Sequence, residues 1–183
     1  MCIRDSAAPR RTMWFWLYAL SAIAMSFLPL VALFVAAAFV LWLVPVDAPL
    51  LALPIAAAGG LVAFATYAAL TWLSVRLLSA GLKPGVVAVR SLSGWRVWAV
   101  ERLMDSARTQ LFPMYAAQLT PVWFRSLGAK VGKDAEISTA VMVPRFAEVR
   151  EGAFLADDTM VGGYELGGCL LYTSPSPRDA TLS

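Results

Sequence analysis

From Thr12 to Val46 the chain carries no charged residue, and the stretch MWFWLYALSAIAMSFLPLVALFVAAAFVLWLVPV exceeds the roughly 20 residues a helix needs to cross a bilayer. It predicts a membrane span. The excess length, with Pro29 near its middle, predicts a tilted or kinked helix, because proline removes a backbone donor and crowds the preceding turn. Trp14, Trp16 and Tyr18 at one end and Trp42 at the other fit interfacial aromatic belts. After a turn at Pro45-Val46-Asp47-Ala48-Pro49, a second uncharged run from Leu50 to Val75 predicts a second span. Gly59 with Ala63, and Ala65 with Ala69, stand four apart on a helical face, which suits close packing against Ala36, Ala37 and Ala38. An alanine-rich genome would produce the same composition, so that packing role is one of two readings.

Between Gly81 and Leu119 two helical pieces are expected, the first from about Gly94 to Leu111. There Trp95, Trp98, Arg102 and Leu103 mix aromatic and cationic groups in a way that suits a membrane surface. Pro113 and Pro121 break the segment, and Leu119-Thr120-Pro121 begins a short piece ending at Leu127-Gly128.

From Val131 the period changes. Every sixth residue is aliphatic: Val131, Ile137, Val143, Val149, Leu155 and Val161. Two places before each stand Ala129, Ala135, Val141, Ala147, Ala153 and Thr159, all small or β-branched. Six aliphatic hits at one phase arise by chance roughly once in a thousand trials, whereas a helix needs spacings of three and four and a half-buried strand needs alternation. Period six is a solenoid signal, each triangular coil taking three hexapeptides. The predicted fold is therefore a membrane α-helical hairpin followed by a truncated left-handed parallel β-helix. Gly132, Gly152, Gly162 and Gly163 are compatible with its turns, and Gly132 and Gly162 directly follow the aliphatic residue, where this repeat favours glycine; Pro144 and Arg150 depart from the pattern. The competing reading is a short antiparallel sheet whose spacing is accidental. Stacked repeats need about three units and a cap, so the repeat is expected to break off with an apolar coil face bare.

The chain divides accordingly: 12–79 two transmembrane helices, 80–128 an amphipathic cytoplasmic connector, 129–168 the start of the repeat. Residues 1–6 and 169–183 are set apart because both resemble translated sequencing-adapter sequence. ATGTGTATAAGAGACAG encodes Met1-Cys2-Ile3-Arg4-Asp5-Ser6, and its reverse complement encodes Cys169-Leu170-Leu171-Tyr172-Thr173. The two cysteines of the chain fall inside these ends, so no disulfide framework or thiolate site is expected.

The 183 residues are 60% hydrophobic and 15% charged, too apolar for an ordinary soluble surface. Net charge is only +3, and its placement says more than its size. Arg10 and Arg11 precede the first span, Arg76, Lys83, Arg90 and Arg96 follow the second, and the loop between carries only Asp47. Positive charge stays inside, which puts both hairpin ends and the repeat on the cytoplasmic side of the inner membrane. From Arg76 to Lys133 nine cations face two acids, Glu101 and Asp105, which suits anionic lipid; no nucleic-acid-binding motif accompanies the excess. There is no histidine. Ser138 and Thr139 are weak candidates for a nucleophile because no obvious base would activate them. Asp157 and Asp158 suggest a base or an amine-binding pair, but a solvated turn is the favoured reading, since successive residues of a strand face opposite ways. Catalytic residues stay unassigned, and no cofactor or metal is expected to bind this chain.

From Trp95 to Gly163 the chain resembles the terminal membrane region of nonribosomal peptide synthetases of the ε-poly-lysine synthetase type. The likeness is carried by Leu119-Thr120-Pro121-Val122-Trp123-Phe124-Arg125, Leu127-Gly128-Ala129-Lys130-Val131-Gly132, Glu136-Ile137-Ser138-Thr139 and Phe154-Leu155-Ala156-Asp157. That resemblance implies a fragment of a condensing region that forms peptide or isopeptide bonds from carrier-bound aminoacyl thioesters. It also implies a carrier domain in the same parent chain, and ATP and phosphopantetheine used by the parent. Two other classes compete: a membrane-anchored hexapeptide-type acyltransferase, and a non-catalytic anchor or scaffold, with an oligomer open in each case.

Overall fold

A computed structural model describes residues 8–44, 51–116, 118–161, 164–167 and 170–173. The expected turn at 45–49, Gly162, Gly163 and both cysteines lie outside these residues. The first apolar run forms two helices, α1 (Ala8–Ser26) and α2 (Leu28–Leu43), parted at Phe27. The break falls where Pro29 demands it. In the first turn of α2 its missing N–H leaves no bond unmade, whereas inside one continuous helix it would cost a bond to Met25 and clash with that turn.

The second run forms α3 (Ala52–Ser79), which packs along α2. Gly59 is the point of closest approach: a Cβ there would stand 2.4 Å from Val40 Cγ2, and Ala36 and Ala32 are buried nearby. The small-residue contact thus forms at Gly59. Thr12–Leu43 and Ala52–Ser79 are both long and apolar enough to cross a membrane. Farther along α3 the buried residues Tyr67, Thr71, Val75 and Ser79 recur every four, a stripe that turns from α2 to the rest of the chain.

Helix α4 (Leu92–Gln110) meets that stripe. Ser91 caps it, its Oγ accepting from the Gly94 N–H at 3.1 Å, and Val97, Val100, Leu103, Met104, Ala107 and the following Leu111 are buried. Val100, Met104 and Ala107 have no measurable exposure. The apolar face expected to suit a membrane surface is instead consumed by protein, against α3 on one side and the repeat on the other. Trp98 stacks edge-on against Tyr18 of α1, and Trp95 Nε1 donates to Ser21 Oγ at 3.0 Å.

Short helices α5 (Phe112–Tyr115) and α6 (Thr120–Leu127) follow, and α6 closes at Gly128. Gly128 is left-handed at φ 103, with Ala129 N donating to Phe124 O and Gly128 N to Arg125 O, the Schellman pattern. A strand absent from the sequence expectation, β1 (Gly85–Ala88), pairs antiparallel with β9 (Leu170–Thr173), which also pairs with β8 (Tyr164–Gly167). Residues 170–173 were set aside on sequence grounds, yet they complete this small sheet.

The segment expected to carry the period of six holds three short parallel strand pairs. β2 (Lys130–Val131) pairs with β5 (Glu148–Val149), β3 (Glu136–Ile137) with β6 (Phe154–Leu155), and β4 (Val141–Met142) with β7 (Met160–Val161). In the first two pairs the partners stand eighteen apart, Lys130 opposite Glu148 and Glu136 opposite Phe154. Parallel pairing excludes the antiparallel reading of this segment. Ile137 and Val149 are buried, as are Ala129, Ala135 and Ala147, so both sequence registers point inward.

One position is corrected. Met142, not Val143, stands opposite Val161, because the corner before β4 is one residue short and Val143 is spent starting a 3-10 turn, Pro144–Phe146. Proline at the head of that turn gives up an N–H that a ladder would have needed. Glycine placement differs too. The left-handed residues are Asp134, Gly152 and Asp158, each three places after the aliphatic residue rather than one. Gly132 is required for another reason: a Cβ there would stand 2.4 Å from the Glu151 nitrogen.

These two causes predict different penalties. Gly152→Ala meets no atom and suffers only backbone strain, about 1 kcal/mol, whereas Gly132→Ala collides with backbone and should cost more, about 2–3 kcal/mol. Asp134→Gly should be neutral or stabilising by a few tenths of a kcal/mol, since glycine takes a positive φ freely. Denaturant unfolding in detergent, with the three variants side by side, measures the order.

Candidate functional site

The residues that carry the sequence resemblance gather where the hairpin, α4 and the first strands meet. Thr120 is fully buried and its hydroxyl reaches the Tyr115 carbonyl at 2.9 Å, tying the turn between α5 and α6. Trp123 Nε1 donates to the Tyr115 hydroxyl at 3.2 Å, and Phe124 meets the Tyr115 ring edge-on at 5.9 Å between centroids. Burial pushes the Tyr115 hydroxyl's pKa well above its usual value, with the Trp123 bond opposing. It stays neutral and serves as an acceptor.

Two further contacts join this knot to its neighbours. On the hairpin side, Trp72 of α3 donates its indole N–H to the Ser126 carbonyl at 3.2 Å, and Arg76 lies against Gly128, its Nη1 3.2 Å from where a Cβ would stand. On the repeat side, Arg125 Nε donates to the Val131 carbonyl at 3.0 Å and Nη2 to the Gly132 carbonyl at 2.6 Å. A planar guanidinium suits this grip, since its fork spans two adjacent carbonyls with fixed geometry. The motif is a joint.

A second cluster occupies the corners of the repeat. Ser138 Oγ donates to Asp157 Oδ1, as does Thr139 Oγ1 at 3.3 Å, while the Asp158 N–H donates to Thr139 Oγ1 at 3.0 Å. Asp158 turns away and receives Arg108 Nη1 at 2.5 Å, and Arg108 Nη2 reaches Asp105 at 3.3 Å. The two aspartates therefore do part, on an exposed turn, one holding the corner of the preceding strands and the other holding α4.

Hydroxyls beside a carboxylate can be a nucleophile with its base, but the electrostatics here point elsewhere. Bonding from Ser138 holds the Asp157 carboxyl below its ordinary range, with Thr139 adding to it against a small desolvation effect. A carboxylate so held is a poorer base, and no third group orients it, as a catalytic arrangement would require. The cluster latches two corners. Among the described residues no three His, Cys, Asp or Glu side chains gather as metal ligands would. Sequence reasoning singled out all four corner residues and quoted Arg125 within its motif, but missed Arg108, Trp72 and Tyr115 and the grip that Arg125 makes. The one available signal was the density of Trp, Tyr and Arg in a segment that is otherwise weakly polar.

The fold and joint define an apolar helical hairpin coupled through a short-helix clamp to parallel strand pairs. No family model matches the chain, and no solved structure matches it. Over 88 residues, 48% of this chain, it is 38% identical to the Delta-poly-L-ornithine synthetase of Acinetobacter baumannii (strain AB307-0294), so it is related to a peptide synthetase over that stretch. The match spans 7% of that protein's length.

Two outcomes test the assignments. Arg125→Ala should speed amide exchange at Lys130 and Gly132, whose N–H groups bond to Ala147 and Val149, while leaving α3 protected. Hydrogen exchange by mass spectrometry reads this, and equal protection in the variant would show the clamp idle. For Asp157 the folded pKa lies below the unfolded value near 3.8, so its stabilisation is present above that pH and is lost as pH falls through the folded pKa. Asp157→Asn should therefore lose stability relative to the parent at pH 6 but little at pH 3, measured as the shift in unfolding midpoint at both.

Proposed function

We propose that this chain is a membrane unit of a nonribosomal peptide synthetase, in which the hairpin holds the repeat at the cytoplasmic face of the inner membrane for peptide or isopeptide bond formation. The similarity to the poly-ornithine synthetase carries this reading. Two helices long enough to span support the membrane placement, and the arginine-rich flanks favour the cytoplasmic side. In the same reading the three strand pairs are the three faces of a triangular coil. An eighteen-residue separation is three hexapeptides, which suits a left-handed β-helix continued by further coils.

Chemistry in such a parent starts from an aminoacyl group activated with ATP and held as a thioester on a phosphopantetheine arm. In this reading both groups belong to other domains of the parent. This chain's own residues position: α3 and α4 hold the repeat near the bilayer, Arg125 ties its first strand to α6, and Arg108 ties the later corner at Asp158 to α4. The carrier domain is the partner the reading requires.

Long-read sequencing of the source DNA across both ends tests it. The expected outcome is an adenylation and carrier pair in frame upstream of Arg10. A start codon next to Arg10 with a histidine-bearing repeat beyond Gly168 would instead assign the chain to a stand-alone membrane acyltransferase. Purified and reconstituted alone, the chain should form no peptide bond, and condensation of an aminoacyl thioester by it would overturn the positioning role.

A further inference from the structure

Three residues of α5, α6 and the turn between them face outward although they are apolar: Phe112, Leu119 and Val122, each more than half exposed. Leu119 and Val122 lie on one stripe with Ser126, seven and four places ahead of it. Ser126 is where Trp72 of α3 bonds. Beside that contact α3 is itself apolar on its outer side, with Leu73 and Leu77 exposed.

Depth can be estimated from helix length. A helix of 28 residues is roughly 42 Å long, while the hydrocarbon layer is roughly 30 Å thick, so α3 exceeds it by about eight residues. Trp72 precedes the end of α3 at Ser79 by seven. That places its indole at the boundary between acyl chains and headgroups, the level tryptophan favours, with Arg76 one turn beyond where its head can reach phosphate. Helix α6 is bonded to α3 at that level. From Ser106 to Lys133 the chain carries Arg108, Arg125, Lys130 and Lys133 and no carboxylate. Arg108 is held by Asp105 and Asp158 and Lys130 stands 3.6 Å from Glu148, so the positive charge this segment offers an anionic headgroup layer rests on Arg125 and Lys133.

We propose that α5, α6 and their connecting turn form an interfacial membrane element, lying in the headgroup and acyl boundary beside α3 with Phe112, Leu119 and Val122 in lipid. The inference rests on the reading that α2 and α3 cross a bilayer, and it narrows the broad cationic stretch from Arg76 to Lys133 to one element with named apolar residues in lipid. Through it the joint at Arg125 sits on the membrane surface, so the first strands begin at that surface rather than on a free tether.

The test uses the full chain with Cys2→Ser and Cys169→Ser, carrying either Val122→Cys or Leu41→Cys labelled with bimane. Leu41 is 80% exposed on α2 and reports the span. Each is reconstituted into phosphatidylglycerol-containing vesicles with lipid spin-labelled near the headgroup or near the chain end. Val122 should be quenched about twofold more by the shallow label than by the deep one, as expected for an element about 5–10 Å into the boundary. Quenching at Leu41 with none at Val122 would overturn the proposal and leave the span standing. Quenching at neither site would sink both. Deeper quenching dominant at Val122 would overturn the interfacial placement in favour of full insertion.

Discussion

Val100, Met104 and Ala107 of α4 sit where the hairpin and the strand pairs meet, and none has measurable exposure. One face of this helix covers the Tyr67–Ser79 stripe of α3, and another covers β4. Full burial of Val100 and of Met104 is worth about 1.5–3 kcal/mol each and of Ala107 less, so the seam joins two parts that would otherwise each expose an apolar face. Short parallel pairs of two residues each cannot stand alone in water. They are held because α4 and α6 supply the interior that the coil itself is too small to enclose.

Around that seam the polar contacts act as register pins. Arg125 grips the carbonyls at the first strand, Arg108 reaches the corner at Asp158, and Asp157 ties the earlier corner to the later one. The exposed ion pair between Arg108 and Asp158 adds little stability by itself. The value of these contacts is geometric: each links residues far apart in sequence and so fixes how the strand pairs sit relative to the helices. In the proposed reading of this chain as a membrane unit, such fixing is the useful property. The motif that carries the sequence resemblance is thus read as scaffolding, and the lowered pKa of the Asp157 carboxyl beside Ser138 and Thr139, which makes it a poorer base, agrees with that reading.

Much of this architecture follows from local rules. The two apolar runs, the break near Pro29, the short piece ending at Gly128 and the period of six are each set by neighbouring residues, because hydrophobic length, proline and glycine act within a turn or two. Other features could not be read that way. Strand β1 pairs with residues more than eighty positions later, and the one-residue shift at Met142 depends on how a corner with Pro144 packs. The positive φ at Asp134 and Asp158 depended on knowing which corner position turns left-handed, and the sequence pattern pointed to the position after the aliphatic residue instead.

By itself the sequence determined the apolar lengths, the positive flanks and the repeat, since these are sums over adjacent side chains. Only the tertiary structure decided which face α4 buries, that Arg125 grips the Val131 and Gly132 carbonyls, and that Arg108 is the partner of Asp158. Those outcomes depend on which surfaces meet across tens of residues. An amphipathic helix carries the same pattern whether lipid or protein covers its apolar face, and packing against α3 and β4 made the choice.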